Sequence, residues 1–201
     1  MVSRDFSSKW RSVVRKDEFV NQAPNDLTVY TCPDLESTTL LDSTKSFLIE
    51  GGLPKETAIS SMTFDMKVYT PEVKSLKEHI FLEGNHFAHY YVIGNLENKW
   101  ICINSTNKDQ ILAVDVDYPG VIEDGEEVSD EYQEEWFINS SVVHMAECLL
   151  AYQKLYYEGK FNDETAIVAL RDELRQIDLP CVNEGTFWWR EINYELLNQD
   201  I

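Results

Sequence analysis

Two changes of hydrophobic period along the chain limit what it can fold into. Across residues 38–50, Leu40, Leu41, Thr44, Phe47 and Leu48 recur at helical spacing, and Gly51-Gly52-Leu53-Pro54 supplies a left-handed cap and a stop. Short segments follow at 59–66, 86–94, 99–104 and 110–118, separated by Gly, Asn, Asp and Pro, and these read as strands. The connections at Gly94-Asn95 and at Asn104 are hairpin-short, so the strands form an antiparallel meander. Helical spacing then returns. Val142, Met145, Ala146, Leu149, Leu150, Tyr152 and Leu155 make one apolar stripe, with Asn139 or Ser140 as its cap. A second runs from a cap at Asn162 through Ile167, Leu170, Leu174 and Ile177 to a stop at Pro180. A third holds Trp188, Trp189, Ile192, Leu196 and Leu197, capped near Thr186. The order helix, strand block, helix block lacks βαβ alternation, which specifies an α+β fold: one domain, a mostly antiparallel sheet with helices packed against it. Residues 1–37 are expected to be a basic, helical start belonging to the same domain as 38–201, with Arg4, Lys9, Arg11, Arg15 and Lys16 against Asp5 in its first sixteen residues.

Charge narrows the partners. The 201 residues carry 17 Lys and Arg against 36 Asp and Glu, a formal charge of −19. Nucleic acid and anionic membranes are gripped through Lys and Arg, so neither is the expected partner, and a basic protein is. No apolar run approaches the ~18 residues that span a bilayer, and no apolar segment follows the basic start as a secretory signal requires. The expected location is the cytoplasm. Cys32, Cys102, Cys148 and Cys181 are widely spaced with no C-x-x-C pair, and are expected to be reduced and mostly buried.

The common catalytic signatures are missing: no G-x-S-x-G, phosphate loop, G-x-G-x-x-G or H-E-x-x-H occurs. No cofactor is expected. His86 and His89, three apart on a strand, point to opposite faces and make a poor metal pair. Asp115 and Asp117, two apart, share a face and could offer oxygens to Mg²⁺ or Mn²⁺, which keeps a metal-dependent enzyme as a lesser alternative. Cys102 with His89, or Cys148 with His144, would make a nucleophile only if the thiol were exposed. The strongest local signal is electrostatic. Residues 109–153 contain twelve Asp or Glu and no Lys or Arg. At the densest part Glu123, Asp124, Glu126, Glu127, Asp130, Glu131, Glu134 and Glu135 surround Tyr132 and Trp136. Carboxylates interleaved with amphipathic aromatics can steer a basic partner and then anchor it; a solvated loop with Trp136 turned inward is the other reading.

Several separated motifs resemble the SUKH superfamily of immunity proteins, most closely its fourth subfamily. Phe47-Leu48-Ile49-Glu50-Gly51-Gly52-Leu53-Pro54 is similar to the helix-ending element of that family, Tyr91-Val92-Ile93-Gly94 to its "IG" strand, and Trp100-Ile101-Cys102-Ile103-Asn104 to the hydrophobic strand after it. Phe137-Ile138-Asn139-Ser140-Ser141 resembles the lead into its central helix, and Phe187-Trp188-Trp189 its C-terminal region. The resemblance spans roughly Leu40 to Leu197. It implies an α+β domain that binds and blocks a cognate bacterial polymorphic toxin, often a nuclease or nucleic-acid deaminase, without turnover. Related domains serve as intracellular regulatory or scaffold modules, the second function the resemblance allows.

Overall fold

The computed structural model describes residues 3–13, 27–59, 62–64, 73–79, 87–115 and 135–197. Among them lies a five-stranded antiparallel sheet in the order β3 (Met62–Thr63), β4 (Tyr90–Leu96), β5 (Lys99–Asn104), β6 (Gln110–Asp115), β7 (Glu135–Asn139). A two-stranded ribbon pairs β1 (Leu27–Thr28) with β2 (Leu53–Pro54). The helices are α1 (Ser3–Ser12), α2 (Asp42–Glu50), the short α3 (Leu76–His79), α4 (Val142–Tyr157), α5 (Glu164–Ile177) and α6 (Phe187–Leu197). The architecture is α+β, a meander with helices packed against it, as the alternation of periods requires. No described helix is long and apolar enough to cross a membrane.

Strand alternation sorts the side chains into two cores. Ile101, Ile103, Ile111, Ala113 and Ile138 turn toward the helices and meet Met145, Leu149, Ile167, Leu174 and Trp188 in the main core. Val92, Cys102, Leu112 and Val114 point the other way and form a smaller cluster with Leu76 and Phe87. The first helix joins the main core through fully buried Phe6 and Trp10, the Phe6 ring lying 5.9 Å from Trp10 and 5.5 Å from Phe47 of α2. The basic residues of α1 therefore lie on a helix whose apolar face is part of the fold.

Several boundaries differ from the sequence expectation for physical reasons. Helix α2 starts at Asp42 instead of residue 38, and Leu41 at its N-cap is half exposed. Leucine offers no capping oxygen, and the Leu41 amide instead donates to the carboxylate of Asp109, 2.7 Å away in the β5–β6 turn. Fully buried Asp109 thus stands at a helix N-terminus, where the backbone dipole favours an anion. Gly52 takes the left-handed cap with φ 73°, and Leu53-Pro54 continue into the β1–β2 ribbon. Gly94, expected at a hairpin, sits inside β4 beside a bulge, and the turn falls at Glu97-Asn98. A Cβ at Gly94 would come within 2.3 Å of the Thr63 carbonyl oxygen, so this glycine permits β3 to approach. Phe87 lies outside β4 with φ 59°, in a turn that also contains His89. Residues 137–139, expected as a lead into a helix, form edge strand β7. Ser141, not Asn139 or Ser140, caps α4 by accepting from the His144 amide, and Asp163, not Asn162, caps α5.

Candidate partner-binding surface

Of the ten residues assigned to partner binding, Glu135 and Trp136 are described; Glu123, Asp124, Glu126, Glu127, Asp130, Glu131, Tyr132 and Glu134 lie outside the described residues. Glu135 and Trp136 open the edge strand, opposite Val114 and Ala113 of β6. Alternation turns Glu135 toward the face of the smaller cluster and Trp136 toward the helices. Glu135 is exposed, and its carboxylate neighbours the Tyr90 phenol. Burial first, and the neighbouring Glu135 charge second, push the Tyr90 phenol up to about 12.

The Trp136 indole is half-buried against the main core. Lys99 Nζ stands 4.4 Å and the Arg190 guanidinium 4.6 Å from its ring centre, within cation–π range. Lys99 is itself buried and pairs with Asp115 at 2.6 Å. Where the acidic segment rejoins the sheet, a tryptophan is therefore fixed between two cations. It is a rigid aromatic surface belonging partly to the fold and partly to the rim. The Lys99 ammonium takes up the Asp115 carboxylate that had suggested a metal ligand, and Asp117 lies outside the described residues. Among the described residues no group of three or more His, Cys, Asp or Glu is placed to hold a metal ion.

Beneath this rim a buried polar network fixes the end of β7. The Asp178 carboxylate, 4% exposed, accepts from Asn139 Nδ2 at 2.9 Å and from the Ser140 amide and Oγ at 2.7 Å each. Asn139 Oδ1 in turn accepts from Trp188 Nε1 at 2.9 Å, and Asn139 Nδ2 also contacts Cys148 Sγ at 3.4 Å. One asparagine joins the sheet edge, α4, the 3-10 turn Leu179–Val182 that follows Asp178, and α6. The Phe-Ile-Asn-Ser-Ser run thus acts through tertiary hydrogen bonds, and what sequence reading missed was the acceptor, Asp178, distant in the chain. Asn104 is structural in the same way: it is buried and its Oδ1 accepts from the Thr106 amide and hydroxyl.

The thiols fit neither nucleophile pairing. All four cysteines are free, with Cys32 exposed and Cys102, Cys148 and Cys181 buried. Burial pushes the Cys102 and Cys148 thiols up, away from the reactive thiolate. Alkylation of the native protein at neutral pH is expected to modify Cys32 rapidly and the other three only after denaturation, which intact mass against time reads directly. Rapid native labelling of Cys148 would contradict the packing of α4.

The fold is an α+β meander with a glycine-ended α2 and a central helix α4 capped by Ser141. The sequence model of the SUKH-4 immunity protein family matches residues 20–198, and the chain belongs to that family. No curated protein and no solved structure matches it.

Proposed function

We propose that this protein protects its host by binding a cognate toxin domain and blocking its active site, using the carboxylates of residues 123–135 as the docking surface. Membership of an immunity family supports the protective role. The observation supporting the acidic face is the concentration of charge: twelve carboxylates and no cation across 45 residues of a −19 chain. A nuclease or nucleic-acid deaminase holds its polyanionic substrate in a basic groove, and a dense row of carboxylates is complementary to such a groove. Long-range attraction speeds capture, and aromatic anchors, Tyr132 and the fixed Trp136, slow release. The protein acts by occupancy and not by turnover, and its place of action is the cytoplasm, where a toxin would reach its substrate. The test is growth rescue. The toxin domain encoded beside this chain is expressed with and without it, and survivors are counted. Rescue that is lost with a non-cognate toxin supports the reading; equal killing in both cultures removes it and leaves a cellular regulatory role as the reading to pursue.

A further inference from the structure

A concavity on the helical side, lined by residues from outside the acidic run, carries cationic side chains. It lies between α5, the 3-10 turn and α6, holds about 260 Å³, and is floored by buried Ile192. Arg171 and Arg175 line it from successive turns of α5, Asn183 and Asn193 add amides, and Trp189, 37% exposed, adds an indole; Glu184 also lines it and is exposed. Neither guanidinium is well engaged. Among the described residues both reach only toward exposed Asp172, Arg171 Nε at 3.8 Å and Arg175 Nη1 at 3.4 Å, and the buried Arg171 Nε has no hydrogen-bond acceptor among them. In a chain with 36 carboxylates for 17 cations, two arginines left so loosely paired beside a half-exposed tryptophan make an unusual surface.

We propose that this pocket receives a carboxylate-bearing anchor side chain or chain end of a partner protein, with an adjacent apolar group stacking on Trp189. Guanidinium forks match carboxylates in geometry and charge, and Trp and Arg are enriched among the residues that carry most binding energy at protein interfaces. The volume suits one side chain, being below the ~300 Å³ at which small-molecule sites begin. The net charge of −19 opposes an extended polyanion, while a single carboxylate at contact distance is governed by the local arginines, inside the ~8 Å screening length. The pocket goes beyond the acidic-face reading and does not depend on it.

The test uses the full chain and N-acetyl-L-phenylalanine, a free carboxylate beside an aromatic ring, followed through the Arg Nε and Trp indole N–H signals. Saturable shifts at Arg171, Arg175 and Trp189 are expected, about tenfold weaker with N-acetyl-L-phenylalaninamide, the factor for loss of one charge-assisted contact. R171Q/R175Q is expected to abolish them with the thermal midpoint unchanged; should that pair disturb folding, R175Q alone, at an exposed site, is expected to weaken binding. Equal affinity for acid and amide, no saturable shift, shifts that survive R175Q, or inorganic phosphate binding as tightly as the carboxylate would each overturn the proposal.

Discussion

Replacing Asp178 with alanine is expected to lower stability by about 3 kcal/mol, the scale for removing a buried charged acceptor from several donors at once. The Asn139 amide and both Ser140 donors lose their acceptor, and Asn139 is fully buried, so water cannot replace the carboxylate there without opening the core. For a chain of this size that corresponds to a fall in thermal midpoint of roughly 6–12 °C. The comparison that probes the network is Trp188→Phe, which keeps an aromatic ring, removes the indole N–H that donates to Asn139 Oδ1 and leaves a small cavity beside Tyr152 and Phe187. Because both changes act through one asparagine, their combined cost is expected to differ from the sum by at least about 0.5 kcal/mol, beyond what independent sites show. Thermal and urea unfolding of the two single variants and the double decides this. A loss under about 0.5 kcal/mol in Asp178→Ala, the range of ordinary surface changes, would show that the carboxylate is not what holds β7 to α6.

The largest functional effect is expected from neutralising Glu126, Glu127, Glu134 and Glu135 together as glutamines, which keeps shape and removes four charges. Association with the cognate toxin domain is expected to slow by about ten- to a hundredfold at low salt, with a smaller change in dissociation, because steering acts on the encounter. The salt dependence of the association rate should flatten in parallel. Stopped-flow mixing across a salt series measures both. Unchanged rates would place the contact elsewhere on the protein while leaving the protective role in place, and growth rescue by the same variant separates the two.

Much of this molecule could be read directly. The Gly-Gly-Leu-Pro stop after α2 required a left-handed residue, and Gly52 supplies it. Strands β5 and β6 were legible because both faces are buried and their apolar residues run without interruption. Three of the differences share a cause: each feature depends on a group far away in sequence. Gly94 reads as a turn by local propensity but serves the approach of β3, and Leu41 cannot cap α2 unless Asp109 is brought to it. Residues 137–139 read as a lead into a helix because their strand character comes only from pairing with β6.

For the candidate surface the division follows the same physics. Net charge and its clustering are properties of the chain that survive any fold, and they carry the proposal of a basic partner. Whether Trp136 is core or anchor was not a property of the chain. The register of β7 on β6 turns its indole toward the helices, where Lys99 and Arg190, from two other elements, close on it. Likewise no local pattern marked Arg171, Arg175 and Trp189 as one pocket. Helical spacing sets the two arginines a turn apart, but the tryptophan joins them only because the turn after Asp178 folds α6 back against α5. Short-range propensity and charge density are local and are written in the sequence; the meeting of side chains from distant segments is paid for by burial of the shared core, and only the folded chain decides it.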